Sequence, residues 1–285
     1  MASSMKQITV PGKDFNLAHT FDCGQCFRWN HGDDGSYIGV AGGRVARLRE
    51  EGGEIIIENC SDEDYDAFWR DYLDLSRDYG EIKKAVSVND VMRSAVDYGY
   101  GIRLLRQEFF ETLMSYIISQ NNSIPNIKRV VERLCAAYGE PIEFEGRTYY
   151  SFPTPEKLAA LEPEDFRALG AGFRDRYLSG AARLVHSGEL SFESLTAMPT
   201  PEAREVLMKV KGVGNKVCDC VMLFALGKYD LFPTDTWINK VMAEKFGTGS
   251  VKTAKSEGER LFGEYSGFAQ QYLFYWRREL DKQEP

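Results

Sequence analysis

The sequence predicts an α+β fold: an N-terminal antiparallel β-sheet domain with helices, residues 1–102, followed by a mainly α-helical domain, residues 103–285. Three observations predict it. Short alternating segments separated by paired glycines occupy the first part of the chain, the pattern of an antiparallel meander. After about Tyr100, apolar residues recur at helical spacing instead. Between 201 and 226, two helical stretches meet at a short connection holding two glycines.

The elements follow in order. Segments 36–40, 44–49 and 54–58 are strand candidates, joined through Gly42-Gly43 and Gly52-Gly53. Ser61-Asp-Glu-Asp64 has the form of a capping box opening a helix to about Leu75. In 107–119, Phe110, Leu113, Met114 and Ile117 make one apolar face; in 123–138, Ile127, Val131, Leu134 and Tyr138 do the same. Thr154-Pro155 and Thr200-Pro201 read as cap-then-proline helix starts. Residues 1–4, ahead of Met5, are set aside as an appended segment.

Composition narrows the class. With 285 residues, 43% hydrophobic and 27% charged, the chain is long enough for a substantial core and ordinary for a soluble protein. No run is long and apolar enough for a membrane span, and no secretory leader is visible, so an intracellular protein is expected. Six cysteines stand at 23, 26, 60, 135, 218 and 220. The single C-x-x-C at 23–26 lacks a second pair for zinc, and no C-terminal cysteine cluster could hold iron and sulfur. Cys60 and Cys135 read as reduced core thiols. The net charge of −8 speaks against binding nucleic acid by bulk charge, but leaves room for backbone amides and a few placed cations.

The chemistry concentrates in 202–243. A helix from Pro201 to about Met208 runs into Val210-Lys-Gly-Val-Gly214, and a second helix begins at Asn215. Gly212 and Gly214 permit positive φ and close approach by an outside group, and the helix start adds free N–H groups, together an anion site suited to a DNA phosphate. A nucleotide P-loop fits worse, because Val217 follows Lys216 where Ser or Thr is needed. From Lys216 to Gly227 the only charges are Lys216 and Asp219, so this helix should be buried nearly all round. Partial burial and the helix dipole both work against the charged form of Lys216, and the free amine is the form that attacks carbon. Pairing with Asp219, or contact with phosphate, is the plainer alternative. Cys220 shares the face of Lys216 at i+4. Downstream, Asp235 in Leu231-Phe-Pro-Thr-Asp-Thr-Trp237 is placed to cap a helix containing Ile238, Val241 and Met242; taken alone, that is its simplest role.

LMKVKGVGNKVCDC followed by FPTDTW resembles the helix-hairpin-helix and aspartate-loop signature of base-excision DNA glycosylases. Lys216 falls on the position of the catalytic lysine and Asp235 on the aspartate, with the loop at 231–237. Within that superfamily the chain is most similar to the 8-oxoguanine DNA glycosylases that also carry a lyase activity. Cys23-Gly-Gln-Cys-Phe-Arg-Trp29 resembles the segment whose glycine carbonyl, here Gly24, senses the N7–H of oxidised guanine. Gly267-Phe-Ala-Gln270 and Phe274 resemble the C-terminal helix that bonds and stacks the base, with Cys220 closing the sandwich. Asn121-Asn122 resembles the asparagine run filling the gap left by a flipped nucleotide. Leu169-Gly-Ala-Gly-Phe-Arg174 resembles the loop with an aromatic wedge, Phe173, and an arginine near the opposite base, Arg174. Two departures stand out: Asn126 replaces the second arginine near the opposite cytosine, and Trp237 replaces a histidine beside the lesion phosphate.

The resemblance implies a bifunctional glycosylase acting on double-stranded DNA containing 8-oxoguanine, as a monomer, with no required cofactor. It also implies a monovalent or divalent cation at the hairpin, held by the carbonyls of Met208, Val210 and Val213. A helix-hairpin-helix glycosylase for another damaged base, and a non-catalytic DNA-binding module, are the alternatives. The missing cysteine cluster disfavours an enzyme for oxidised pyrimidines, and Lys216 disfavours a monofunctional one.

Overall fold

A computed structural model describes residues 6–283, with side chains through 280; residues 1–4, set aside above, lie outside the described residues. The N-terminal half is built on a five-stranded antiparallel sheet of order β1-β5-β4-β3-β2. Its strands are β1 (Gln7–Pro11), β2 (Trp29–His31), β3 (Tyr37–Ala41), β4 (Arg44–Glu51) and β5 (Glu54–Glu58). The predicted meander is β3-β4-β5. Both of its connections are two-residue turns with positive φ at each glycine, 56° and 68° at Gly42-Gly43 and 61° and 82° at Gly52-Gly53. Such turns match the twist of the strands they join, which fixes the register Gly39↔Ala46 and Leu48↔Ile57. Leu48, Ile55 and Ile57 pack with Phe21, Trp29 and Trp69 into one core beneath the sheet.

β1, β2 and a small hairpin of β6 (Pro141–Phe144) and β7 (Arg147–Tyr150) lie outside the predicted strands. The Ser61–Asp64 capping box forms as expected, with Ser61 accepting from the Asp64 amide and Asp64 from the Ser61 amide. Its helix ends at Tyr72 and contains a π-helical turn over Tyr65–Trp69, which delivers Trp69 to the core.

The helices of the second half share a larger core that also takes in Cys23 and Phe27. Phe109–Ser119 buries Leu113, Met114 and Ile117 of the predicted face and Ile124–Tyr138 buries Ile127, Val131 and Leu134, while Phe110 and Tyr138 are half-buried. Thr154 caps Pro155–Ala159 as expected, through the Lys157 amide. Thr200 does not cap its helix: Thr200–Leu207 begins one residue earlier than read, and the Thr200 hydroxyl donates to Asp230 (2.8 Å). Asn215–Phe224 follows across the hairpin and Thr236–Phe246 beyond it; the chain ends in Ser266–Gln283. No described helix is long and apolar enough to cross a membrane.

Candidate active site

Lys216 and Asp235 reach the same place from two helix starts. Lys216 is in the first turn of Asn215–Phe224. Asp235 is the N-cap of Thr236–Phe246, in extended backbone (φ −129°), and accepts the Ile238 amide at 2.9 Å through Oδ1. That leaves Oδ2 facing Lys216 Nζ at 3.8 Å. The preceding loop is held by Phe232, fully buried and stacked on Phe262 at 6.1 Å. One carboxylate thus both caps the start of a helix and faces an amine.

The plainer partner for the lysine is already engaged. Asp219, 1% exposed, pairs with Arg204 of the first hairpin helix and with Lys255 (2.7 Å). The side chain of Lys216 is half-exposed, at 53%, because burial of its helix begins only at Val217. The hairpin leaves this end of the helix open to whatever enters the groove.

A cavity of about 200 Å³ opens beside Lys216 and Asp235. Gly24, Cys220, Gln270 and Phe274 line it together. Burial pushes the Cys220 thiol up to about 12, against the opposing pull of Lys216, so it faces the cavity as a neutral, apolar wall and not as a rival nucleophile. Gly24 sits at φ +86°, and a side chain there would meet Arg278 and Phe274 within about 3 Å. Its loop is fixed by Gln25, wholly buried, which donates to the Thr20 and Arg103 carbonyls (2.8 and 2.7 Å) and accepts the Leu105 amide (2.9 Å). Gln271 of the C-terminal helix donates to the Cys23 carbonyl (2.8 Å). The glycine and the C-terminal helix are therefore one wall. Sequence reading missed Tyr116, Gln271 and Arg278 in this lining; Arg278 was findable, one helical turn beyond Phe274.

A second cavity, about 570 Å³, lies on the outer side of the pair and is lined by Gln120, Asn121, Gly214, Asn215 and Trp237. No side chain caps the Asn215 helix, so its first N–H groups are available to an anion there. The two glycines of the hairpin differ from expectation. Gly212 has φ +90° and approaches Tyr177, whose ring a Cβ would meet at 2.5 Å, while Gly214 has negative φ and faces open space. Gly214 is exposed, with open space beside its backbone. Gly212 shapes the turn, and its carbonyl accepts from Gln120 (2.8 Å). Val213 donates its amide to the Val210 carbonyl (3.0 Å), closing the hairpin beside exposed Met208.

Asn121 and Phe173 project at the rim: Asn121 is exposed with φ +46°, and Phe173 is 58% exposed. Arg174 does not project. It is 6% exposed and turned inward, donating to the carbonyls of Gln120 (2.8 Å through Nε), Asn121 (3.1 Å) and Ala171 (3.1 Å), with its guanidinium 4.3 Å from the Phe173 ring. It braces both projecting residues. Asn126 is likewise occupied, donating to Asn122 (2.8 Å). Replacing Arg174 by Met should lower stability by about 1.5–3 kcal/mol, the worth of a charged hydrogen bond. It should also slow any reaction that needs Asn121 held in place, while Phe173→Ala leaves stability unchanged; thermal unfolding of the two variants checks this.

Residues 7–113 match the family described as 8-oxoguanine DNA glycosylase, N-terminal domain, and residues 114–264 match the HhH-GPD superfamily of base excision DNA repair proteins. Among solved structures, that of MBOgg1 in complex with a low-affinity DNA ligand is 45% identical, with 99% of this chain and 100% of that one covered and a TM-score of 0.94. The Clostridium acetobutylicum 8-oxoguanine glycosylase/lyase, bound to double-stranded DNA containing cytosine opposite 8-oxoG, is 41% identical over 98% and 99% of the two chains, with a TM-score of 0.94. The N-glycosylase/DNA lyase OGG1 of Arabidopsis thaliana is 27% identical over 280 residues, 92% of this chain and 77% of that protein.

Proposed function

From a chain that belongs to the HhH-GPD superfamily of base excision DNA repair proteins, we infer a bifunctional enzyme that excises 8-oxoguanine from duplex DNA and cleaves the strand at the resulting abasic site. One observation carries the mechanism: Lys216 Nζ and Asp235 Oδ2 stand 3.8 Å apart at the mouth of a cavity walled by Gly24, Cys220, Gln270 and Phe274.

In this reading the lesion is flipped out of the duplex into that cavity, with Asn121 filling its place and Phe173 wedging the stack. Phe274 and Cys220 sandwich the ring, Gln270 reads its Watson–Crick edge, and the Gly24 carbonyl accepts its N7–H. Unmodified guanine has an acceptor at N7, so the same carbonyl repels it. Lys216 Nζ bonds to C1′ as the N9–C1′ bond breaks, and the electron pair leaves with the base. The carboxylate of Asp235 offsets positive charge developing on the sugar. Opening of the sugar gives a Schiff base on Lys216, and loss of a C2′ proton then expels the 3′ phosphate, nicking the strand. The nucleophile is a side chain, so the steps need no cofactor.

The flanking phosphate is held by Gly214, the free amides of the Asn215 helix and Trp237, with Gly212 shaping the turn. Arg174 acts from behind Asn121 and Phe173. A monovalent or divalent cation on the carbonyls of Met208, Val210 and Val213 is part of the same proposal. Among the described residues no cluster of His, Cys, Asp or Glu offers an alternative metal site. We further propose that the chain divides near residue 102 and acts inside the cell, as a monomer.

The test is incubation with a duplex holding one 8-oxoguanine, beside its unmodified counterpart. Base release and strand cleavage confined to the lesion are expected. Tight binding of the lesion duplex without either product would favour a non-catalytic DNA-binding module.

A further inference from the structure

The C-terminal helix brings a third residue to the base cavity. Gln270, Phe274 and Arg278 recur every four positions, so they share one face, and all three line the cavity with Gly24. Arg278 is 8% exposed. A guanidinium has five N–H donors, and three of these are spent. Nε donates to Glu279 (3.0 Å), and Nη2 divides between the same carboxylate (2.9 Å) and the Asp22 carbonyl. Nη1 is buried and has no hydrogen-bond partner among the described residues. It lies against Gly24, since a Cβ built there would be 3.0 Å from Nη1 and 3.1 Å from Cε1 of Phe274. Leaving a buried donor unmade is costly, and this one stands where a ligand can supply the acceptor.

Building on the pocket assignment above, we propose that Arg278 is a specificity-determining residue whose Nη1–H donates to the O8 carbonyl of 8-oxoguanine when the base stacks on Phe274. The helix selects the atom. Gln270 and Arg278 are eight positions apart, about 12 Å along the axis. Gln270 faces the Watson–Crick edge, and Gly24 faces N7–H beside Arg278. Of the two carbonyls flanking N7, O6 belongs to the Watson–Crick side and O8 to the far side, where Nη1 is. The Gly24 carbonyl and Nη1–H then complement N7–H and O8, an adjacent donor and acceptor that unmodified guanine lacks. The guanidinium acts on the chemistry as well. The base departs with the electron pair of the N9–C1′ bond, and positive charge beside O8 stabilises it as that pair spreads into the ring.

The experiment compares single-turnover excision by the wild type, Arg278→Met and Arg278→Lys from duplexes carrying 8-oxoguanine or 8-thioguanine, with cleavage of a preformed abasic site alongside. 8-Thioguanine keeps N7–H as the thione but presents sulfur, a weak acceptor, in place of O8. Arg278→Met should slow excision of 8-oxoguanine roughly 10- to 100-fold, the worth of one charged hydrogen bond. On 8-thioguanine its effect should be several-fold smaller, because only the charge beside the departing base is then lost; abasic-site cleavage should hold, and Arg278→Lys should recover part of the loss. Equal slowing on both bases would overturn the proposal, because merely pinning the Asp22 carbonyl beside Gly24 acts on both alike. So would wild-type excision by Arg278→Met, or abasic-site cleavage falling in step with excision. If the wild type itself releases no 8-oxoguanine, the pocket assignment fails and this proposal with it; comparison of variants within an active protein judges Arg278 alone.

Discussion

Lys216→Gln should slow release of 8-oxoguanine by on the order of 10⁴-fold or more and abolish strand cleavage at the lesion. The two losses have different origins. Excision loses the amine that bonds to C1′, leaving only what the cavity and Asp235 contribute by binding and charge. Cleavage loses more, because an amide nitrogen cannot form the Schiff base from which the 3′ phosphate is expelled. The variant should still fold. Lys216 is 53% exposed and its nearest ionic partner, Asp235, is 3.8 Å away, so removing its charge disturbs little of the core. Rapid-quench excision assays with an intact thermal transition check the expectation. Excision within tenfold of wild type would assign the nucleophile elsewhere.

Asp235 should show the second-largest effect, separable into two parts. Its Oδ1 accepts the Ile238 amide and its Oδ2 faces Lys216, so one residue is both cap and counter-charge. Asp235→Asn keeps a good cap and removes the charge. It should preserve stability while slowing excision about 10²- to 10³-fold, the usual consequence of losing one preorganised electrostatic contact to a transition state. Asp235→Ala removes both functions and should add a loss of about 1 kcal/mol in stability. Denaturant unfolding and single-turnover excision on the two variants separate cap from catalyst. If Asn and Ala slow excision equally and only in proportion to lost stability, Asp235 is a cap alone.

What the sequence reveals of this protein is what local chemistry decides. Gly42-Gly43 and Gly52-Gly53 each demand a tight turn, and β3-β4-β5 follow from them. Asp235 ahead of Ile238, Val241 and Met242 announces a capped helix, and Lys216 with Cys220 at i+4 announces a shared face. What local chemistry does not announce depends mostly on partners far along the chain, or on elements too short to carry a pattern. β1 is five residues ending in Pro11 and exists by pairing with β5; β2 is three residues, too short for periodicity to register. Arg174 resembles a residue for the opposite base; that it also has a bracing role, through carbonyls 53 and 54 positions earlier and its neighbour Ala171, is something no local pattern announces. The apolar run after Lys216 predicts a buried helix, and the helix is buried from Val217 on, but its first turn leaves Lys216 half-exposed. Helical spacing places Arg278 on the face of Phe274, but only the meeting of the Cys23–Cys26 loop with the C-terminal helix sets it against Gly24.

The central claim is that the Lys216 amine becomes covalently joined to the sugar of the lesion. Incubating the protein with a labelled 8-oxoguanine duplex in the presence of borohydride tests it most directly, because borohydride reduces a Schiff base to a stable linkage. A protein–DNA adduct should accumulate with the wild type, disappear with Lys216→Gln, and map by peptide mass to Lys216. An adduct on another residue, or none while the strand is still cut at the lesion, would contradict the mechanism.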